Sequence, residues 1–560
     1  MSSDADPAER PADPTDPYAR EGQIFPRLTD DQIARLSDYG RAETLDDGTT
    51  LFRRGERGVD FFLVTEGQVE IVDREADGRD KVITTHGPRQ FTGELDLFNN
   101  RKILVDGRTK GRTRVVRLDR GQFRRMSSTE QDIGETVMRA FILRRTGFIT
   151  HAEAGVTLVG DRNDRDVIRI NRFLARNGYP VTVRDRSTPE GRRLAEAAGT
   201  TDCPAIVRTA EGDTLANPST AELADHLGLT EELEPGRVYD LAIVGAGPAG
   251  LSACVYAASE ALDTVVVETE APGGQAGTSS KIENYLGFPT GISGQALAGR
   301  AWIQGQKFGA TFAIARPASA IRRDGERFRI AREGAPDVEA RAVILACGAT
   351  YRTLDHLDGY GRYEGQGIHY AATALEAQFC RGTEVAVIGG GNSAGQAAVF
   401  LSRHASHVHV LVRGDGLADS MSDYLVGRIE RSARITLHPR TELTALHGGR
   451  LLERVTWTDR DTGEETTAAV PNVFVMIGAV PNTAWMGDCV ALDERGFVLT
   501  GPALGDGRSP FATSVPGIFA VGDVRAGSVK RVASGVGEGS VCVSAVHAYL
   551  AEGADREAAE

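Results

Sequence analysis

Close cysteine pairs are missing from this 560-residue sequence. Its six cysteines are scattered, and the nearest two, Cys347 and Cys380, are 33 positions apart. A disulfide framework or a zinc knuckle would show close pairs, so this spacing argues against both. It indicates a reducing cytoplasm, no metal site, and cysteines that serve mostly as small buried hydrophobes.

Long hydrophobic runs and an excess of positive charge are also missing. The longest charge-free runs, 241–259 and 468–487, are broken by Gly and Pro, which argues against membrane spans. A net charge of -14 argues against a nucleic-acid partner, because phosphate binding needs a basic surface. Residues 1–22 are rich in Pro and Asp and have no apolar core, so they are expected to form a disordered tail and not a signal peptide.

The rest of the chain falls into blocks of different periodicity. Residues 23–150 alternate short β-type runs with Gly turns, which predicts a β-roll or jelly roll closed by a helix. Residues 151–233 have a β-α-β-α-β-β-α pattern. From residue 234 onward, two strand–glycine-loop–helix units follow. The chain is therefore predicted to be a multidomain α/β protein.

The first glycine loop lies in "YDLAIVGAGPAGLSACVYAAS", where a buried strand runs through Gly245, Gly247 and Gly250 into a helix. The glycines permit a tight turn, a close approach of a pyrophosphate and close helix–strand packing. The pyrophosphate would lie at the helix N-terminus. Glu268, at the end of the next strand, can accept hydrogen bonds from ribose hydroxyls. Together these features predict a dinucleotide site.

The second loop, "EVAVIGGGNSAGQAAVFLSRHASHVHVLVRG", places Gly389 and Gly391 between a strand and a helix. Its second strand ends in Arg413 and not in an acid. An Arg there suits a 2′-phosphate and favours NADPH, with NADH possible. The alternative is that Arg413 is a solvated strand end.

Residues 238–550 resemble the thioredoxin reductase family of two-Rossmann flavoproteins. The motifs that carry the resemblance are "GAGPAG", "PGGQAGTSSKIENYLGFP", "ILACGATYR", "VIGGGNSAGQAA", "VFVMIGAVPNT" and "GIFAVGDVRAGSVKRVASGVGEG". The resemblance implies a homodimer with an FAD domain in two parts (234–358 and 481–560) and an NAD(P)H domain (359–480) between them. It implies the following FAD contacts: Gly245, Gly247, Pro248, Ala249, Gly250, Glu268, Gly274, Gln275, Asn284, Gly522, Asp523, Arg531, Val532 and Ala533. It implies the following NAD(P)H contacts: Gly389, Gly391, Asn392, Ser393 and Arg413.

The sequence departs from this family at two places. The family's basic cluster falls on Val412, Arg413, Gly414 and Ala418, so one Arg remains and the preference for NADPH is weakened. The family's C-A-T-C-D motif falls on residues 372–376, which read Ala-Thr-Ala-Leu-Glu, so neither thiol is present.

Two residues near this missing dithiol are catalytic candidates. Glu376 retains the acid of the motif, and it is either a general acid for an acceptor beside the flavin or a surface or capping residue. Cys380, one helical turn later, is either a nucleophile or a packing residue.

The block at 151–233 resembles the thioredoxin/glutaredoxin fold. The position of its Cys-x-x-C holds "DRND", residues 161–164, so this dithiol is missing as well. Pro204 matches the cis-proline of that family. Cys203 before it is either accessible or, as expected, buried, and the domain is expected to act as a docking or interface module.

The block at 23–150 resembles cyclic-nucleotide-binding domains through "DFFLVTEGQVEIV" and "FTGELDLF". Gly93, Glu94 and Leu95 match the turn that holds the cyclic phosphate in that family. The usual phosphate-binding Arg is missing, and Arg101 and Arg108 stand in the wrong register to replace it. Cyclic-nucleotide binding and a degenerate structural or dimerisation role both remain open.

These features predict an FAD-dependent NAD(P)H oxidoreductase whose acceptor is not a dithiol of its own. A quinone, oxygen or a ferredoxin-like protein is the expected acceptor, by analogy of fold. The alternatives are a thioredoxin-disulfide reductase that uses Cys380 or Cys203, and a redox- or cyclic-nucleotide-responsive sensor.

Overall fold

The computed structural model describes residues 17–74, 79–93, 95–98, 101–151, 154–199, 203–279, 281–370, 372, 374–417, 421–505 and 507–559. Two compact units divide the chain. The first contains the described residues up to Arg162 together with Arg169–Leu233 and Gln306–Ala315, and the second contains Asn163–Ile168, Glu234–Gly305 and Arg316–Glu560.

The expected disordered tail ends earlier than the sequence predicts. Pro17–Arg20 form a 3-10 helix, and α1 (Glu21–Ile24) follows it directly. Pro17 is buried, and the Tyr18 ring stacks on Phe25 at 6.3 Å between centroids. The prediction of disorder is therefore wrong for residues 17–22, because aromatic packing fixes them, and residues 1–16 lie outside the described part of the chain.

The predicted β-roll forms the front of the first unit. After α2 (Asp30–Ser37), its five strands are antiparallel in the order β1-β5-β3-β4, and β2 pairs with β5. Two helices follow, and the first begins at an Asp119–Gln122 capping box, which satisfies free backbone N–H groups. The elements are β1 (Arg41–Leu45), β2 (Thr50–Phe52), β3 (Phe61–Arg74), β4 (Asp80–His86), β5 (Asp106–Leu118), α3 (Arg120–Thr129) and α4 (Gln131–His151).

The β-α-β-α-β-β-α pattern predicted next is confirmed. Its sheet has the order β7-β6-β8-β9, with β6 parallel to β7 and antiparallel to β8. The predicted last helix begins at a Ser219–Glu222 capping box. The elements are β6 (Val156–Gly160), α5 (Arg165–Arg176), β7 (Val181–Asp185), α6 (Pro189–Ala197), β8 (Ala205–Arg208), β9 (Thr214–Ala216) and α7 (Thr220–Leu227).

The sheet that carries the first glycine loop is parallel around the loop and antiparallel at one edge. β10 lies parallel between β11 and β15, and β26 (Ile518–Ala520) pairs in parallel with the end of β15. The antiparallel hairpin β13–β14 pairs with the beginning of β15. The elements in chain order are β10 (Val238–Val244), α8 (Pro248–Ser259), β11 (Thr264–Glu268), α9 (Gly294–Lys307), β12 (Thr311–Ile314, counted with the first unit), β13 (Ala318–Asp324), β14 (Arg327–Arg332) and β15 (Ala335–Leu345).

A second parallel sheet, in the order β17-β24-β18-β19-β20, carries the second loop. Hydrophobic cores cover both of its faces, as its continuous apolar strands require. The elements are β16 (Ala349–Tyr351), α10 (Tyr360–Tyr363), β17 (Ile368–His369), α11 (Ala374–Phe379), β18 (Glu384–Ile388), α12 (Asn392–Leu401), β19 (His407–Leu411), α13 (Asp423–Glu430), β20 (Ile435–His438), β21 (Thr441–Gly448), β22 (Leu452–Asp459), β23 (Glu465–Ala468), β24 (Asn472–Val475) and β25 (Ala479–Pro481).

The chain ends by returning to the first parallel sheet with β26 (Ile518–Ala520) and α14 (Val532–Ala559). β16 and β25 form a two-stranded antiparallel sheet, and β21–β23 form a three-stranded one. Within the described residues, no helix has both the length and the apolar character that a bilayer span needs.

Candidate nucleotide sites

The first glycine loop has room for a ligand at one glycine and none at the other two. A Cβ on Gly245, whose φ is +104°, would lie 2.4 Å from the Ala346 carbonyl oxygen. A Cβ on Gly250 would lie 1.9 Å from the Gly245 oxygen. A Cβ on Gly247 would meet nothing within 4 Å. The loop therefore packs tightly on the sheet and is open only where the backbone would approach a pyrophosphate.

Gly247, the glycine with free space around it, is also the N-cap of α8. No side chain caps this helix at Gly247, and Pro248 occupies its first turn. Free N–H groups and the helix dipole make such an end suitable for an anion. The residues present thus fit the diphosphate of a dinucleotide.

Glu268 braces the same loop from the end of β11. Its carboxylate accepts the Ala246 N–H at 2.7 Å and the Glu270 N–H at 3.0 Å, and it is 9% exposed. A carboxylate offers about four acceptor positions, and these two bonds fix its orientation at the loop. Its predicted role remains a prediction.

The turn after β26 brings Gly522 and Asp523 to the same edge of the sheet. A Cβ on Gly522 would lie 2.8 Å from the Ala249 Cβ, so this turn touches the start of α8. Desolvation raises the pKa of the half-buried Asp523 carboxyl, and Lys530 partly opposes the rise.

Sequence reasoning missed the residue that holds this turn, Glu538 on α14. Its carboxylate accepts the Gly522 N–H at 2.7 Å and pairs with Arg525 at 2.7 Å. α14 itself lies close against α8, because a Cβ on Gly539 would be 2.2 Å from the Ala249 oxygen. The acid is 16 positions from the turn, so no local pattern in the sequence indicates the contact.

The remaining predicted FAD contacts lie on three segments. Gly274 adjoins the open glycine, since its Cβ would be 3.0 Å from the Gly247 Cα. The Gln275 amide donates to the Ala349 carbonyl. Asn284, Arg531 and Ala533 are exposed, and Val532 is half-buried at the start of α14.

The second glycine loop repeats the arrangement of the first. Gly389 has φ +133° and its Cβ would lie 2.3 Å from the Met476 oxygen, while Gly391 is the N-cap of α12 with no capping side chain. The Asn392 amide oxygen accepts the N–H and hydroxyl of Ser422, at 2.7 and 3.0 Å, and Ser393 is exposed. Sequence reasoning did not find Ser422, because it lies 30 positions away in the chain.

Arg413 follows β19 with an exposed side chain. Val412 before it is buried, Gly414 after it is exposed, and Ala418 lies outside the described residues. An exposed guanidinium is compatible both with a 2′-phosphate contact and with a solvated strand end, so the choice between NADPH and NADH stays a prediction.

The first residue at the position of the missing dithiol is buried in the core of the second sheet. Ala372 is 7% exposed and belongs to that core, and Thr373 lies outside the described residues. Glu376 is 3% exposed, so the expectation that it is a surface residue is wrong. It belongs to the six-residue helix α11, in which Ala377 is buried as well.

Cys380 is a core residue, and the structure does not support it as a nucleophile. It is fully buried, and its thiol donates to the Glu376 carbonyl oxygen at 3.3 Å. Burial, with a smaller effect of the Glu376 charge, raises the pKa of the thiol to about 12. A reactive thiol needs the opposite shift, so the catalytic candidacy of Cys380 is corrected to packing.

The other described cysteines form no disulfide in the structure. Burial raises the pKa of Cys347 to about 12, and its thiol donates to the Asn482 oxygen at 3.1 Å. Cys203 is half-buried and donates to the Ala205 oxygen at 3.0 Å, so it is less buried than expected. The described residues contain no cis peptide bond, so the expectation of a cis-proline at Pro204 is wrong.

The two arginines considered as phosphate ligands in the front domain have other partners. Arg108 pairs with Asp80 at 2.7 Å and with Glu70 at 3.2 Å, and hydrogen bonds to these acids raise its pKa. Arg101 is 6% exposed and donates to the Leu229 oxygen at 2.8 Å. Of the predicted turn, Gly93 is described with φ +110° and Glu94 lies outside the described residues.

Family comparisons agree with the architecture. The family profile "Pyridine nucleotide-disulphide oxidoreductase" matches residues 239–539, and "Cyclic nucleotide-binding domain" matches residues 42–130.

Relatives match more than half of the chain. A thioredoxin reductase of Bacillus subtilis is 32% identical over 56% of this chain and 96% of its own length. A bifunctional thioredoxin reductase/thioredoxin of Mycobacterium leprae is 34% identical over 58% of this chain and 68% of its own. The crystal structure of Lactococcus lactis thioredoxin reductase matches 56% of this chain and 99% of its own, with 29% identity and a TM-score of 0.52.

Proposed function

We propose, from the premise that this chain belongs to the pyridine nucleotide-disulphide oxidoreductase family, that it passes electrons from NAD(P)H to an acceptor other than a dithiol of its own. The chain is an FAD-dependent NAD(P)H oxidoreductase of the thioredoxin reductase-like type. When bound, FAD would take a hydride from NAD(P)H and hold two electrons for the acceptor. The identity of that acceptor is the proposal.

One observation carries it: Ala372 occupies the dithiol position, and the one nearby thiol in the described segment, Cys380, is buried with a raised pKa. Thiol–disulfide exchange needs an accessible thiolate and a second thiol to resolve the mixed disulfide. At neutral pH a thiol with a pKa of about 12 is almost entirely protonated. The usual route to a disulfide substrate is therefore closed at this position.

The overall reaction balances without a protein thiol. A quinone takes two electrons and two protons and becomes a quinol, while NAD(P)H becomes NAD(P)+ and one proton comes from water. Oxygen or two one-electron ferredoxin-like carriers would accept the same two electrons. The protein supplies the binding loops at Gly247 and Gly391, which the free helix N-termini of α8 and α12 complete.

The experiment is anaerobic stopped-flow reduction of the FAD-loaded chain with NADPH and with NADH, followed by an acceptor panel. We expect bleaching of the flavin, turnover with menadione or a ferredoxin, and no turnover with oxidised thioredoxin. The variant Cys380→Ala should leave these rates unchanged. Its matched control is Cys542→Ala, another fully buried thiol with a raised pKa, placed on α14.

Two results would contradict the proposal. Thioredoxin reduction that Cys380→Ala abolishes, and Cys542→Ala does not, would favour the disulfide-reductase alternative. Failure of both nucleotides to bleach the flavin would remove electron transfer from NAD(P)H and leave the sensor alternative.

A further inference from the structure

A small, mostly apolar cavity of about 40 Å³ lies inside the front β-roll. Strands and loops of the roll supply part of the wall, and the N-terminal segment and α4 supply the rest; the lining includes Phe52, Ile71, Ile83, Val105, Tyr18 and Phe148. One water molecule needs about 10–15 Å³ of such space, so the cavity has room for a few heavy atoms. It has no room for a whole nucleotide.

One polar side chain on the cavity wall has an unused hydrogen-bonding atom. His86, the last residue of β4, is 2% exposed, and its Nδ1 has no hydrogen-bond partner among the described residues. Burial, together with the charge of Arg144, lowers its pKa well below the usual value, so the ring is neutral. Leaving such an atom buried and unpaired is unfavourable, and a ligand with a hydroxyl or carbonyl group would satisfy it.

One cationic side chain lines this cavity, and the fold uses two of its guanidinium nitrogens. Arg144 lies on α4 and donates to the Ile24 oxygen at 3.0 Å and to the Gly93 oxygen at 2.9 Å. Its guanidinium also lies 4.8 Å from the centre of the Phe91 ring. Since Arg101 and Arg108 have the partners described above, the geometry favours a neutral ligand over a phosphate.

We propose that this cavity binds a small, neutral, mainly apolar molecule whose one hydroxyl or carbonyl group hydrogen-bonds to His86 Nδ1, in place of a cyclic nucleotide. The site lies wholly in the first unit and does not rest on the acceptor proposed for the second. A ligand of five heavy atoms can gain only a limited binding free energy, so a dissociation constant in the micromolar to millimolar range is expected.

The test is a titration of the full, FAD-loaded chain with isobutanol, followed by the NMR signals of selectively labelled histidine rings. The histidine signal that is missing from the spectrum of His86→Phe belongs to His86. In the unaltered chain this signal should shift as isobutanol is added, until it stops moving below about 10 mM isobutanol. It should not move with cyclic AMP or with isobutylammonium, which has the same size but carries a charge. His356→Phe, at an exposed histidine, is the matched control and should leave the shift intact.

A second variant keeps the test decisive if His86→Phe does not fold. Ile83→Phe fills the cavity from a half-buried position and leaves His86 in place, so the histidine signal should remain and no longer shift. The proposal is overturned if no histidine signal moves, if the shift rises linearly without saturation, or if cyclic AMP produces it. It is also overturned if isobutanol-soaked crystals show only ordered water at His86.

Discussion

Substitutions at two glycines of the first loop, Gly247 and Gly250, should affect FAD binding and folding to different extents. A methyl at Gly250 would lie 1.9 Å from the Gly245 oxygen, so either the loop or α8 must move. Overpacking of this kind costs about 1–3 kcal/mol, which corresponds to a fall of roughly 2–12 °C in the melting temperature of a domain of this size. A methyl at Gly247 meets nothing within 4 Å, and this N-cap has φ −69°, which Ala adopts without strain.

We therefore expect Gly250→Ala to lower both the melting temperature of the apo chain and its affinity for FAD. Gly247→Ala should lower the unfolding free energy of the apo chain by less than about 1 kcal/mol, a smaller loss than in Gly250→Ala, and weaken FAD binding at least about tenfold, since the methyl occupies the space for the pyrophosphate.

Calorimetry of the apo chain and a flavin absorbance titration measure the two effects. Gly299→Ala, on α9 with equally free space around it, is the control and should lower neither quantity. Wild-type FAD affinity in Gly247→Ala would refute the assignment of the loop, and so would an apo melting temperature as low as that of Gly250→Ala.

Three further predictions concern charges and thiols. Burial acts to raise the pKa of Glu283, but its Lys and Arg partners lower this pKa overall. The ion pairs of Glu283 therefore stabilise the folded chain at pH values above the ordinary carboxyl pKa, and this stabilisation is lost as the pH falls through the folded pKa. Arg428→Ala, which removes the ion pair with Glu283 at 2.7 Å, should cost about 0.2–1 kcal/mol at pH 7 in urea unfolding, and the difference from wild type should shrink by pH 3; a constant difference would contradict the pairing. Iodoacetamide at pH 8, followed by mass spectrometry of the native chain, should label the half-buried Cys203 before Cys380, whose thiolate fraction at a pKa of about 12 is only about 10⁻⁴; equal labelling would contradict the burial of Cys380. Glu538→Gln weakens the contacts that hold the turn at Gly522 and Asp523, and it should lower the unfolding free energy of the FAD domain by about 1–3 kcal/mol. An unchanged unfolding transition in calorimetry would show that these contacts are dispensable.

The sequence predicted those features that depend on residues close together in the chain. The glycine spacing around Gly247 and the Ser219 capping box are both local patterns. In the described structure, the glycine loop leads from a strand into a helix, and Ser219 starts a helix. The contacts of Glu538 and Ser422 could not be predicted, because each acts on a loop many positions away. Burial of Glu376 was missed for another reason: its six-residue helix is too short for its apolar periodicity to show which face turns inward.

The second unit keeps the glycine loops of its family and lacks the family's two thiols. Reduction of the flavin and transfer of its electrons to an acceptor can therefore be considered separately. The loops depend on backbone geometry at glycines such as Gly245 and Gly389, where a Cβ would collide with the neighbouring strand. Delivery to a disulfide depends instead on two side chains, and Ala372 shows that this position is filled by a small group buried in the core. Because the two requirements involve different atoms on different elements, the thiols can be absent while the loops stay intact. Under the function proposed above, the acceptor therefore reaches the flavin itself, without a protein thiol between them.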